Sequence, residues 1–212
     1  MERASVDGKP NPIEPLRRQW RLLAGLLRWI LRRYQADAPG SLAYHQTKKV
    51  AVYLVLSLGT LEGVGLHLVL LLIFGSRWWI WTIFALDMYT LVWIIAMYAA
   101  MVVRPHRIEA DVLRLRQGHL AELTVDRRAV RGARIVAGKQ ARNGRLMVDA
   151  AGRGVFCSGD TTVAIDLDPE FPPHVDGLRV TDAITTLHVT ADRPREFVAA
   201  LTTVDHPVDR IS

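Results

Sequence analysis

The most prominent pattern in the chain is a pair of long apolar runs separated by a short polar turn. Over residues 50–103 only Glu62, Arg77 and Asp87 carry a formal charge. A helix needs roughly 20 apolar residues to cross a hydrocarbon core about 30 Å thick, and each run exceeds that length. Neither run has the polar stripe of a soluble core helix. The pattern predicts a two-helix transmembrane hairpin over residues 44–104 that turns near Arg77.

Lys and Arg residues flank the predicted hairpin at its two outer ends, whereas its turn carries only Arg77. Because such residues are retained in the cytoplasm, both termini are expected there. The formal net charge of +6 is the sum of +6 before the spans, −1 within them and +1 after them. The excess positive charge is therefore concentrated in the segment before the spans, which is an indication of topology. The single Cys157 agrees with a reducing compartment. We expect a multi-pass protein of the plasma membrane.

The segment before the hairpin divides into two parts. Residues 1–14 contain Gly, Asn and Pro without periodicity and are expected to be disordered. Residues 15–36 are predicted to form a basic amphipathic helix lying in the membrane plane. Its apolar side comprises Leu16, Trp20, Leu23, Leu27, Ile30 and Tyr34. The arginines expected to contact anionic headgroups are Arg17, Arg18, Arg21, Arg28, Arg32 and Arg33. Nucleic-acid binding is the alternative, but direct linkage to a span favours lipid.

Three titratable residues, Glu62, His67 and Asp87, fall inside the predicted spans, where such groups are costly and by default indicate function. The first interpretation is that they fasten the two helices, or two copies of the hairpin, together. Gly59 and Gly63 form a G-x-x-x-G pattern that would let another helix approach closely. The alternatives are a proton or ion relay, or a metal site that would require a dimer to supply enough ligands.

The depth of these residues can be estimated by folding the chain about its turn. His67 then lies within one helical turn of Asp87, and a hydrogen bond between them is expected if both face the seam. Glu62 falls beside Tyr89 and Thr90, either of which could hold its carboxyl group. Otherwise Glu62 is expected to stay protonated in the low dielectric.

Residues 105–206 form a separate region in which short alternating runs are divided by Gly, Asn, Asp and Pro turns. This pattern predicts six to eight short strands. Asp192, Pro194 and Glu196 then give the start signals of a closing helix. We therefore expect a cytoplasmic α+β domain, a small β-barrel or sandwich with a C-terminal helix.

Charge is unevenly distributed within this domain. Its first part is basic and emerges directly from the predicted membrane, whereas its second part is acidic. The basic residues proposed as headgroup contacts are Arg127, Arg128, Arg131 and Arg134. A solvated basic face that only obeys the positive-inside rule explains them equally well. The acidic residues 166–170 fit a solvated loop better than a cation site.

Signatures of catalysis are missing from the chain. It contains no H-E-x-x-H, no Walker loop, no G-x-S-x-G and no paired Cys or His spacing. The G-x-G in residues 152–154 lacks the strand-to-helix context of a phosphate loop. We therefore expect a protein that is not an enzyme and that needs no cofactor and no metal.

The start and the end of the domain resemble those of the bacterial membrane-anchored PH-like domains. Residues 107–136 have the order of a strand, a turn, a strand ending in Gly118, and a strand leading into an I-x-x-V-like segment at residues 133–136. Many members also place a two-helix hairpin just before the domain. The terminal helix of the family commonly begins with a D-x-P-x-x-F-like phrase, here Asp192, Pro194 and Phe197.

The resemblance extends over residues 44–204, although Asp126 and Arg127 stand where the family often has a proline. It implies a scaffold or binding role at the bacterial inner membrane and offers no catalytic residues. Together, these features predict a non-enzymatic scaffold or adaptor, homo-oligomeric, whose domain binds lipid headgroups or a protein partner. The alternative is a small oligomeric transporter or proton-coupled channel component that uses Glu62, His67 and Asp87.

Overall fold

The structure is a computed structural model that describes residues 2–4, 13–32, 40–138, 146–156 and 160–202. Two long apolar helices are followed by a sheet-rich α+β region, which confirms this part of the predicted layout. The helices are α1 (Glu14–Ile30), α2 (Gln46–Phe74), α3 (Trp78–Val103) and α4 (Pro194–Thr202).

The helices α2 and α3 form an antiparallel hairpin, and both are long and apolar enough to cross a membrane. Gly75 ends α2 with a φ of 67°, a conformation that favours glycine, and its N–H donates to the Leu71 carbonyl at 3.0 Å. Only 11% of the most apolar stretch of α2 and 17% of that of α3 is buried. A core helix of a soluble protein would be mostly covered, and these two helices are not.

The helix α1 packs along α3. Leu22 is buried at this contact, and a Cβ placed on Gly25 would lie 3.3 Å from the Ala100 Cα. The helix is interrupted after Ile30, where Arg32 adopts a left-handed φ of 49°, and residues 33–36 of the predicted helix lie outside the described residues. A second apolar stripe of α1 is exposed and consists of Leu16, Trp20, Leu23, Leu27 and Ile30.

The strands form two six-stranded sheets in the described part of the chain. In chain order they are β1 (Glu2–Arg3), β2 (Ser41–Leu42), β3 (His106–Ile108), β4 (Val112–Gln117), β5 (Ala121–Asp126), β6 (Val130–Gly138), β7 (Met147–Val148), β8 (Arg153–Phe156), β9 (Thr161–Leu167), β10 (His174–Val175), β11 (Leu178–Arg179) and β12 (Thr186–Val189). The first sheet has the order β11-β10-β5-β4-β3-β2 and is antiparallel. The second has the order β1-β7-β8-β12-β9-β6, in which β8 and β12 are parallel.

The two sheets and α4 share one hydrophobic core. In β4 buried and partly exposed residues alternate, and two of the three buried ones, Leu113 and Leu115, belong to this core, whereas the third is the polar Gln117. Ile165 of β9 and Leu187 of β12 come from the second sheet, and Phe197 of α4 is fully buried against them. The apolar alternation of the strands and the apolar face of the closing helix thus meet in one place.

Several short strands were not predicted. Glu2–Arg3 pairs with β7 although residues 1–14 were expected to be disordered, so that expectation is wrong for residues 2–3. Ser41–Leu42 pairs with β3 directly after Gly40, whose φ is 75° and where a Cβ would collide with the Ile108 carbonyl. Strands of two residues contain too few positions for alternation to be visible in the sequence.

The contact between α1 and α3 generates a first prediction. Gly25→Leu should weaken the docking of α1 by about 1–3 kcal/mol, because the larger side chain has no room beside Ala100. Ala24→Leu is the matched control, since Ala24 is exposed on the same helix. Limited proteolysis of α1 in the detergent-solubilised chain provides the measurement. Equal cleavage rates for the two variants would contradict the packing described here.

Candidate functional site

The seam between α2 and α3 is formed by the predicted G-x-x-x-G. A Cβ on Gly63 would lie 3.6 Å from the Asp87 Oδ2, and one on Gly59 would lie 3.3 Å from a methyl group of Leu91. Gly63 is buried. Both glycines of the pattern therefore lie at the contact of the two helices within one chain.

His67 continues the same face of α2 but does not meet Asp87. Its ring lies 4.6 Å from that of Phe84 and 5.1 Å from that of Trp81, between centroids. Its Nδ1 is shielded and has no hydrogen-bond partner among the described residues. The predicted His67–Asp87 hydrogen bond is therefore absent from the structure. Because Gly63 is the residue opposite Asp87, the hairpin register places His67 one turn closer to the connecting loop.

Glu62 lies on a different face from the other two titratable groups. Its side chain is exposed, whereas His67 and Asp87 are half-buried in the seam. Thr90, considered as a partner of Glu62, donates instead to the Leu86 carbonyl of its own helix at 2.9 Å. The three titratable residues thus do not converge within one copy of the chain.

The seam supports a second prediction, which compares two glycines of one helix. Gly63→Leu should destabilise the hairpin by about 1–3 kcal/mol through overpacking against Asp87. Gly65→Leu should be tolerated, because a Cβ on Gly65 meets no atom within 4 Å. The midpoint of thermal unfolding in detergent distinguishes them. A similar midpoint for both variants would refute the assignment of this face to the seam.

The arginines of α1 lie between its exposed stripe and its contact with α3. Arg17, Arg28 and Arg32 are exposed, whereas Arg21 approaches Asp176 of the β10–β11 turn at 4.0 Å. Arg21 therefore also ties α1 to the sheet-rich region. Of the other predicted headgroup contacts, Arg33 lies outside the described residues, as does the side chain of Arg18.

Two arginines proposed as headgroup contacts are paired with acids in the neighbouring strand β9 or directly after it. The Arg131 Nη2 lies 2.7 Å from the Asp168 Oδ2, and the Arg134 Nη1 lies 2.5 Å from the Asp166 Oδ2. The hydrogen bond from Arg131 holds the pKa of the Asp168 carboxyl below its ordinary value. The basic and acidic parts of the domain are thus partly neutralised across β6 and β9, which reduces the charge available to a membrane.

The remaining two arginines of this set differ from each other. The Arg127 Nη2 donates to the Leu201 carbonyl at 3.1 Å, so it holds the C-terminal end of α4. Arg128 is exposed, and its backbone N–H donates to the Asp126 carboxylate at 2.9 Å. Only the Arg128 side chain of this predicted patch is therefore both exposed and without a polar partner among the described residues.

A buried polar network joins the helices to the sheets, and the sequence patterns did not predict it. The rings of Tyr44 and His106 stack with centroids 4.3 Å apart. The Arg116 N–H donates to the His106 Nδ1 at 3.0 Å, so the proton of the neutral ring is on Nε2, which donates to the Thr190 carbonyl at 3.0 Å. The Gly118 N–H donates to the Tyr44 hydroxyl at 2.6 Å. We call these residues the joint.

Asp192 completes the joint in a role different from the predicted one. Its Oδ2 accepts from the Gln46 N–H at 2.9 Å, at the start of α2, and its own N–H donates to the Ala43 carbonyl at 3.0 Å. An acid satisfies the free N–H groups at a helix N-terminus and complements the dipole. Asp192, Pro194 and Glu196 were predicted to open the closing helix; α4 begins at Pro194 and has Glu196 in its first turn, whereas Asp192 lies two residues before it and its Oδ2 binds the start of α2.

No group of three or more His, Cys, Asp or Glu side chains that could hold a metal ion occurs among the described residues. Cys157 lies outside them. Comparison of the chain with protein-family models, with curated proteins and with solved structures finds no match. The function must therefore be argued from the geometry alone.

The buried ring of His106 leads to a prediction about pH. Burial lowers its pKa from an ordinary 6.5 to about 4. Above pH 6.5 the ring is neutral in both states, but between pH 6.5 and 4 the unfolded chain binds a proton that the folded joint excludes. The free energy of unfolding should therefore fall by about 3 kcal/mol as the pH is lowered from 6.5 to 4. Below pH 4 the ring is protonated in both states, and His106 causes no further loss.

The measurement is the thermal unfolding midpoint of the detergent-solubilised chain between pH 7 and 4.5. His106→Gln should unfold at a lower temperature at pH 7 but with a weaker dependence on pH. His174→Gln, which changes an exposed histidine, should retain the full dependence of the parent chain. If His106→Gln keeps the parental slope, the neutral state assigned to the ring is wrong.

Proposed function

We propose that the chain is a non-enzymatic integral membrane protein in which α2 and α3 anchor a cytoplasmic β-rich domain that acts as a scaffold or adaptor. The observation that carries this proposal is the exposure of the hairpin. Leu72 is 85% exposed and Val50 is 75% exposed, and most apolar side chains between them are also uncovered. A bilayer is the environment that removes this much apolar surface from water.

The aromatic residues at the turn of the hairpin support insertion. Trp78 and Trp81 follow the turn directly and are 79% and 51% exposed. Indole rings prefer the membrane–water interface, so the turn fits the outer surface of the membrane. The excess of Lys and Arg at the other end favours a cytoplasmic location for both termini.

The packing of α1 explains how such an anchor would also orient the domain. Its exposed apolar stripe fits the inner-leaflet interface, and Arg17 and Arg28 beside the stripe fit anionic headgroups. The same helix contacts α3 through Gly25 and the domain through Arg21. Membrane surface, hairpin and domain would thereby be held in one arrangement, as a scaffold requires.

The domain would supply the binding surface for lipid headgroups or a protein partner. Its likeness to PH-like domains of the bacterial inner membrane stays a prediction. Self-association of the hairpin would use the outer face of α2, because α3 is already covered by α2 and α1 on two faces. Glu62 lies on that outer face and would gain a polar partner there. Its separation from His67 and Asp87 favours assembly over a proton pathway within one chain.

The test is cysteine accessibility in intact bacterial cells that express single-cysteine variants in a Cys157→Ser background. A maleimide that cannot cross the membrane should label Ser76→Cys at the turn but label Thr202→Cys only after the cells are permeabilised. Extraction with alkaline carbonate should leave the chain in the membrane pellet. Labelling of both positions from outside, or release by carbonate, would overturn the proposed topology.

A further inference from the structure

A groove between α1 and α3 has the character of a binding site. It has a volume of about 260 Å³ and mostly apolar walls, formed by Leu22 and Leu23 of α1 and by Val92 and Trp93 of α3. Gln19 and His119 add polar groups to its lining. Pockets that enclose whole ligands measure about 300–1,000 Å³, so this groove suits one alkyl chain of a larger molecule.

A cluster of arginines lies at the place where α3 ends. The guanidinium groups of Arg104, Arg114 and Arg116 lie 3.6, 3.5 and 3.2 Å from the Glu122 carboxylate. Glu109, 3.1 Å from Arg114, is the second acid in contact with this cluster. Three guanidinium groups thus share two carboxylates, and an excess of positive charge remains.

The groove and the arginine cluster adjoin each other through the β4–β5 turn. The Arg104 Nη1 donates to the Gly118 carbonyl at 3.4 Å. The next residue, His119, is only 8% exposed, and its ring packs edge-on against Trp93 with centroids 6.3 Å apart. The Arg104 guanidinium thus contacts Gly118, the residue directly before His119, which lines the groove.

We propose that the groove and the arginine cluster together bind one anionic phospholipid, with an acyl chain between α1 and α3 and the phosphate at Arg104 and Arg114. Guanidinium groups bind phosphate oxygens with paired hydrogen bonds, and the remaining positive charge complements an anionic headgroup. The proposal rests on the membrane insertion argued above and adds a specific site to it.

The experiment measures lipid retention by native mass spectrometry of the full chain, released from vesicles of phosphatidylglycerol or phosphatidylcholine. The parent chain should retain one phosphatidylglycerol and prefer it to phosphatidylcholine. Val92→Phe should lower retention by more than about tenfold, since each displaced methylene weakens binding about fourfold. Leu86→Phe, at an exposed position of α3 outside the groove lining, should retain the lipid like the parent chain.

The headgroup is tested by a second matched pair. Arg114→Gln should reduce retention of phosphatidylglycerol about fivefold, and should reduce that of phosphatidylcholine less because its ammonium group already offsets the charge of the phosphate. Arg153→Gln removes a more exposed charge, 62% exposed against 39% for Arg114, that pairs with Asp149 at 2.9 Å and lies outside the arginine cluster, so it should have no effect. Displacement of the lipid by inorganic phosphate alone, or equal effects within either pair, would overturn the site. Variants that stay in the carbonate-resistant pellet but bind lipid like the parent would refute the site and leave the anchor intact.

Discussion

The buried contact between Tyr44 and His106 is the interaction on which the rest of the structure depends. Tyr44 precedes α2 and His106 follows α3, so their stack closes the open end of the hairpin. The same two side chains also receive backbone N–H groups of Arg116 and Gly118 from the first sheet. Both termini of the hairpin and the first sheet are thereby fixed by two aromatic rings, and the orientation of the domain on the helices follows from them.

Such a joint is energetically demanding, because it buries polar groups. An unsatisfied buried donor or acceptor costs about 1–3 kcal/mol, so each polar atom of the joint needs a partner. His106 meets this requirement only as a neutral ring with its proton on Nε2. Burial correspondingly lowers the pKa of His106 and raises that of the Tyr44 hydroxyl. The geometry of the joint therefore selects the protonation states of both side chains.

The features that the sequence predicts are local, whereas the features that it does not predict depend on contacts between residues far apart in the chain. The two apolar helices and the alternation of β4 are local patterns, so neighbouring residues in the sequence are enough to predict them. The joint depends on His106 meeting Thr190, which is 84 residues away, and no local pattern encodes that distance. Asp192 has the signals of a helix start, yet the N-terminus of α2 takes its carboxylate through tertiary contact.

The candidate site shows the same limit in the pairing of charges. The arginines of the domain predict a basic surface, but β6 lies beside β9, and Asp168 directly after β9 and Asp166 within it neutralise Arg131 and Arg134. The excess charge instead lies around Glu122, where Arg104, Arg114 and Arg116 converge from α3 and β4. Their convergence is possible only because the chain passes directly from α3 into the first sheet.

The central position of α3 determines which surfaces remain for partners. One face of α3 carries Asp87 and packs on α2 at Gly63, and another carries Ala100 and packs on α1 at Gly25. Both contacts use a glycine: a Cβ on Gly25 would be tight, 3.3 Å from the Ala100 Cα, whereas a Cβ on Gly63 would be in ordinary contact, 3.6 Å from the Asp87 Oδ2, and a larger side chain would not fit. The apolar stripe of α1 and the outer face of α2, which carries Glu62, are consequently not covered by the rest of the chain. Since Glu62 lies on the latter face, any partner that covers it within a bilayer must offer its carboxyl group a hydrogen bond.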